Sequence, residues 1–232
     1  MITLNNISKV YEENTVLNIE SLEIPKGQSF GLVGNNGAGK TTMFSLLLDL
    51  IKPTTGNITN QDVEIAISSQ WKEFTSSYID ESFLITYLTP DEYFDFIASL
   101  RGVDKVQLKD FLSQFEELFN GEILGVKKYL RDLSKGNQKK VGIIAALIGA
   151  PQVIILDEPF ANLDPSTQFR LKSILKDINN QNEVTLLISS HDLNHITEVC
   201  QRVLVLEKGN IVKDMNETEG QLEELEAFFK VE

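Results

Sequence analysis

Short apolar runs alternate along this chain with longer stretches whose apolar positions recur at helical spacing. The runs SFGLVG, VIILDEP and VTLLISSH are each followed by such a stretch. Continuous runs of this kind predict strands buried on both faces, and their alternation with helices predicts an α/β layer structure around a largely parallel sheet. The first section reads differently. In ITLNNISKVY and TVLNIESLEI polar and apolar positions partly alternate, with turn formers in EEN and PKGQ, as in an antiparallel sheet covered on one side. Between about Pro90 and Leu133 the spacing is purely helical, which predicts a helical insertion at about 83–135 within a single domain over 1–232. Tyr93, Phe96, Ile97 and Leu100 fall on one helical face, and Leu108, Phe111, Leu112 and Phe115 on another. Phe94 lies off the first stripe and, with Tyr87 nearby, is the expected aromatic anchor for a docking partner. After Glu207 come a turn KGN, a short strand and the acidic helical tail QLEELEAFFK, expected to pack on the sheet through Leu222, Leu225 and Phe228 or Phe229.

With 232 residues, 42% of them hydrophobic, the chain is long enough for one substantial core. Its apolar stretch VGIIAALIGA is about half as long as a bilayer span, and MITLNNISKV lacks a basic region followed by a hydrophobic one. The chain is therefore expected to stay in the cytoplasm. A formal net charge of −13 argues against counterion-driven binding to nucleic acid or to an anionic membrane surface, since both need a cationic face. Nucleic acid is not an expected partner. Cys200, between HITEV and QRV, is the one cysteine and reads as a small apolar contact in a reducing compartment.

The sharpest chemical signal is GLVGNNGAGKTTMFSLLLDL, Gly31 to Leu50. Here Gly34, Asn35, Asn36, Gly37, Ala38, Gly39, Lys40 and Thr41 fit G-x-x-x-x-G-K-[ST], between the predicted strand SFGLV and an amphipathic helix. That context separates a phosphate loop from a glycine-rich turn with an incidental lysine. The glycines let the backbone curl so that successive N–H groups face phosphate oxygens at a helix N-terminus, which favours negative charge. Lys40 can reach the β and γ phosphates of a nucleotide, the Thr41 hydroxyl can ligate Mg²⁺, and Thr42 can bond the α phosphate. VIILDEP then sets Asp157 and Glu158 at the C-terminal end of an apolar strand, where a parallel sheet presents its chemistry. Asp157 is the expected Mg²⁺ ligand, directly or through water. Glu158 is the expected base for the water attacking the γ phosphate.

Four further stretches complete a resemblance to the ATP-binding cassette (ABC) family that covers nearly the whole chain. YLRDLSKGNQKKVGIIAAL is similar to the family's signature loop and helix, FANLDP to its D-loop, LLISSHDL to its switch histidine, and KVYEENTVL to its adenine-stacking aromatic, all in the family's order. The resemblance implies a P-loop NTPase (RecA-like) core with an N-terminal antiparallel β-subdomain and an inserted α-helical subdomain. It also implies that Ser134 and Gly136 donate to the γ phosphate held by an opposite subunit. By the same resemblance His191 hydrogen-bonds the γ phosphate, Asp164 meets the partner across a dimer, and Tyr11 stacks on adenine. Lys135 and Asn137 depart from the usual L-S-G-G-Q. The family's coupling glutamine is replaced in YIDESFLITYLTPDEYF by Asp80 and Glu81, carboxylates that suit Mg²⁺ but repel phosphate; Gln70 sits too far upstream for the usual spacing. A rival reading takes His191 and His195 as metal ligands at i and i+4, but no third ligand or adjacent helical glutamate completes a zinc pattern.

The function implied is the ATP-binding and ATP-hydrolysing subunit of a membrane transporter, with ATP and Mg²⁺ as its ligands. A separate transmembrane permease is its expected partner, with a second ATP-binding subunit completing a homodimer or heterodimer. The chain would then lie peripherally on the inner face of the cell membrane. YIDESFLITYLTPDEYFDFIASLRGV and LSKGNQKK look most like exporter subunits. The alternative is a soluble cassette ATPase acting on ribosomes or DNA, but no second cassette, coiled coil or basic surface supports it. A P-loop kinase or GTPase would lack LSKGN, and a GTPase would usually show N-K-x-D.

Overall fold

Two sheets divide the protein, which was analysed as a computed structural model describing residues 1–216 and Leu225. The strands are β1 (Ile2–Tyr11), β2 (Asn14–Ile24), β3 (Ser29–Val33), β4 (Thr55–Asn60), β5 (Val63–Glu64), β6 (Thr75–Tyr78), β7 (Val153–Leu156), β8 (Thr185–Ser190), β9 (Arg202–Glu207) and β10 (Asn210–Asn216). An antiparallel sheet in the order β2-β1-β4-β5 carries the alternating pattern of the first section. The larger sheet runs β10-β9-β3-β8-β7-β6, parallel throughout except where β10 turns back along β9. Every residue of β3, β7 and β8 is buried, as their unbroken apolar character requires.

The helices are α1 (Lys40–Leu47), α2 (Trp71–Phe74), α3 (Pro90–Leu100), α4 (Lys105–Ser113), α5 (Glu116–Phe119), α6 (Lys135–Leu147), α7 (Pro165–Asn182) and α8 (Leu193–Val199). Between β6 and β7 lie only helices, loops and short 3₁₀ turns. Thr89 and Glu92 form a reciprocal capping box that starts α3, with Pro90 in its first turn, and Asp104 with Gln107 does the same for α4. These signals are local and strong. They explain why the chain breaks into helices where it does.

The face that α3 buries differs from the expected one. Tyr93, Phe94 and Ala98 are buried, whereas Phe96 and Leu100 are exposed. Phe94 is 0% exposed and packs on Phe119 with ring centroids 5.9 Å apart, continuing a row of rings through Phe115 to Phe111. It is a core residue and not a docking anchor. The run YFDFIASL supports two helical stripes, and the one containing Phe94 wins because it meets the aromatic row of α4 and α5. The stripe of Leu108, Leu112 and Phe115 is buried as expected, with Phe111 partly so. Cys200 is buried under Gly31, and burial pushes its thiol well above the usual range, so it is an apolar contact. Of the tail residues, Leu225 is buried in the core, while Leu222, Phe228 and Phe229 lie outside the described residues.

Candidate functional site

Loops leaving the C-terminal ends of neighbouring parallel strands carry the predicted chemistry. β3 leads into Gly34, β7 into Asp157 and Glu158, β8 into His191, and β6 toward Asp80 and Glu81. Because β3, β8 and β7 are adjacent, three segments far apart in sequence converge at one edge. The phosphate loop is shaped by its glycines. Any Cβ at Gly34 would run into the carbonyl oxygen of Leu206, and Gly39 opens α1 with φ of +108°, a left-handed conformation that favours glycine.

Lys40 is buried at the start of α1, and its ammonium donates to the Gly34 carbonyl at 2.7 Å. The same group lies 3.6 Å from Glu158 Oε1, while Glu158 Oε2 meets His191 Nδ1 at 2.9 Å. One carboxylate thus joins the loop lysine to the histidine. Thr41 Oγ1 donates to Asp157 Oδ2 at 2.5 Å, and the buried Ser189 hydroxyl donates to Asp157 Oδ1. Burial raises the Asp157 pKa, opposed by the hydrogen bonds from Ser189 and Thr41. A carboxylate and a hydroxyl at this spacing offer the hard oxygen donors that Mg²⁺ takes, with remaining positions left to phosphate and water. The residues therefore fit the ion.

Glu158 itself has φ of +47°, a conformation costing roughly 1–3 kcal/mol for a residue with a side chain. Hydrogen bonds on both sides hold it there. Its N–H donates to Ser189 Oγ at 2.9 Å and its carbonyl accepts from Lys139 Nζ at 2.7 Å. Neither Ser189 nor Lys139 stood out in the sequence. Two features could have flagged them: a serine pair ending the apolar run of β8, and a lysine among the apolar positions of α6.

Ser134 and Gly136 lie at the start of α6. Ser134 is exposed and caps α6, accepting from Asn137 N–H at 3.2 Å, so its hydroxyl stands at a helix N-terminus open to solvent. Gly136 packs close to the carbonyl of Asn162, where a Cβ would stand 3.2 Å away. Two residues on, Asp164 caps α7, and hydrogen bonds from Ser166 and Thr167 hold its carboxyl well below the usual range. The signature and D-loop stretches are thus neighbours. Tyr11 ends β1 with its ring about half exposed and Lys9 Nζ over it at 4.7 Å. Asp80 accepts from Ser82 N–H at 2.6 Å, which turns its carboxylate to capping a 3₁₀ turn, and Glu81 follows within that turn. His195 packs on Phe160 while His191 reaches Glu158, and no cluster of three or more potential metal-binding side chains occurs among the described residues.

Comparison with known proteins adds four findings. The profile of the ABC transporter family matches residues 17–161. The uncharacterized ABC transporter ATP-binding protein YhaQ of Bacillus subtilis (strain 168) is 34% identical over 232 residues, an alignment covering 99% of this chain and 74% of that protein. The bacitracin transport ATP-binding protein BcrA of Enterococcus faecalis is 33% identical over 226 residues, covering 94% of this chain and 70% of that one. In fold, the chain is similar to the dimeric post-hydrolysis state of the ATP-binding cassette MJ0796 bound to ADP and Pi. There the TM-score is 0.82 at 23% identity, over 93% of this chain and 98% of that one.

Proposed function

The chain belongs to the ABC transporter family and is an ATP-binding ATPase; from that premise we propose that it drives a separate transmembrane permease through ATP-dependent pairing of two cassettes. The observation that carries the reading is the single carboxylate of Glu158 placed between Lys40 and His191 at the mouth of the phosphate loop. Lys40 and the loop amides bind the β and γ phosphates, and Thr41 with Asp157 would hold Mg²⁺. When bound, that ion neutralises charge on the phosphate oxygens. Glu158 accepts the proton of the attacking water, and His191 orients the carboxylate through its Nδ1 contact. Tyr11 supplies a ring for adenine.

Ser134 and Gly136 act on the nucleotide of a second cassette. Their place at the solvent-facing N-terminus of α6 supports this reading. The permease docks over a cavity of about 360 Å³ between the large sheet and the helical segment, lined by Leu48, Leu50, Trp71, Asp80, Phe83 and Arg101. Leu50 and Phe83 are exposed at its rim. Asp80 lines this cavity and Glu81 follows it after β6, which supports a coupling role for this pair. No helix among the described residues is long and apolar enough to cross a membrane, which fits a subunit held at the inner face by its permease.

The motif style of LSKGNQKK favours export as the direction. The test is to look for a membrane protein encoded beside this chain, coexpress the two, isolate any complex, and follow cargo in inverted vesicles. Cargo should enter the vesicles only with hydrolysable MgATP. ATP turnover without a copurifying membrane protein would count against the transport reading.

A further inference from the structure

Lys139 stands five residues beyond Ser134 in α6, and its side chain runs inward until it is 5% exposed. Its ammonium ends at a backbone atom of the catalytic edge, donating to the Glu158 carbonyl oxygen at 2.7 Å. Glu158 has a left-handed φ of +47°, a conformation that disfavours a residue bearing a side chain. With Ser189 accepting from the Glu158 N–H and Lys139 donating to its carbonyl, the backbone is held on both sides. From the backbone so held, the carboxylate reaches Lys40 and His191. Burial pulls the Lys139 pKa down, while the carboxylates of Glu81, Glu158, Asp157 and Asp80 oppose that shift, which places the cation among the acids at the ends of β6 and β7.

We propose that Lys139 is a positioning residue for hydrolysis, fixing the Glu158 peptide so that the carboxylate meets the attacking water, and tying that carboxylate to the helix that presents Ser134 to the partner nucleotide. The proposal rests on Glu158 being the base. One rigid helix carries both ends of the link, because five residues of α helix separate them by only about 7.5 Å. A shift of α6 as its N-terminus engages the partner's nucleotide therefore moves the grip on Glu158. Closing the dimer and aiming the base become one motion.

The full chain carries the test, with Lys139→Met removing the donor at similar length and Lys139→Arg keeping it. Nucleotide affinity, ATP turnover and melting are followed together. Lys139→Met should lower kcat about 10-fold to 100-fold, since small misplacements of a reacting group cost on that order, with KM for MgATP within about twofold. Lys139→Arg should restore most of the rate. In a Glu158→Gln background Lys139→Met should cost nothing more, because the residue acts through that carboxylate. Where the methionine variant does not fold, Lys139→Leu, which also removes the donor, replaces it in the same comparison. Native turnover in the Met or Leu variant, a parallel fall in affinity, or an additive loss in the double variant overturns the proposal. Native turnover in Glu158→Gln alone would instead overturn the assignment of the base.

Discussion

Glu158 separates two jobs that Lys40 combines, so the two residues should fail differently when replaced. Glu158→Gln is nearly isosteric and leaves Lys40, the loop amides and the Thr41–Asp157 pair in place, so ATP binding should persist. An amide cannot accept the water's proton, and loss of a general base costs on the order of 100-fold to 10,000-fold in rate. Lys40→Ala removes the buried ammonium from the loop itself and should abolish both nucleotide retention and turnover. Nucleotide carried through gel filtration and phosphate release, measured on both variants, separate the outcomes. A native rate in Glu158→Gln would return attention to Asp80, Glu81 and His191. At this scale the sequence was most legible where function sits in consecutive residues, as in Gly34–Thr42 and Asp157–Glu158. Ser189 and Lys139 escaped because each reaches Glu158 across the fold, 31 and 19 residues away along the chain.

Among the elements, α3 offers the clearest contrast between a buried and a presented aromatic. Phe94→Ala empties a fully buried ring site beside Phe119 and should cost about 3 kcal/mol or more, a fall in Tm of roughly 6–12 °C for a chain this size. Phe83, 55% exposed at the rim of the cavity under the sheet, should behave in the opposite way. Phe83→Glu should leave melting and nucleotide binding near native and weaken copurification with the permease, because aromatic anchors dominate interfaces and a buried unpaired carboxylate is penalised. If Phe83→Glu copurifies normally, the docking site lies elsewhere. The strands β3, β7 and β8 were legible because strands buried on both faces are written as continuous apolar runs. β6, TSSY, was not, since a short edge strand needs only Thr75 and Tyr78 inside. The face of α3 was misread for a different reason: its run satisfies two stripes, and the choice between them lies in α5, outside the helix.

The whole molecule carries a formal charge of −13, and that number bears on how two copies would meet. On the proposed reading, Ser134 and Gly136 serve the nucleotide of a second cassette, and pairing is what brings them to it. The isolated chain should therefore be monomeric or weakly associated without nucleotide, and the Glu158→Gln variant should double in mass with MgATP in light scattering. Long-range repulsion between two acidic copies opposes that step, and salt relieves it, since the Debye length falls from about 30 Å at 0.01 M to about 8 Å at 0.15 M. Local contacts at the closed interface act over distances shorter than either length and are screened less. MgATP-driven pairing should consequently strengthen as salt rises over this range, opposite to the response of a protein that binds a polyanion. The measurement is the apparent dimer dissociation constant at the two salt concentrations with nucleotide saturating. Pairing that weakens with salt would mean that complementary charges across the interface outweigh the net charge. No pairing at either concentration would leave a heterodimer, or a pair assembled only on the permease.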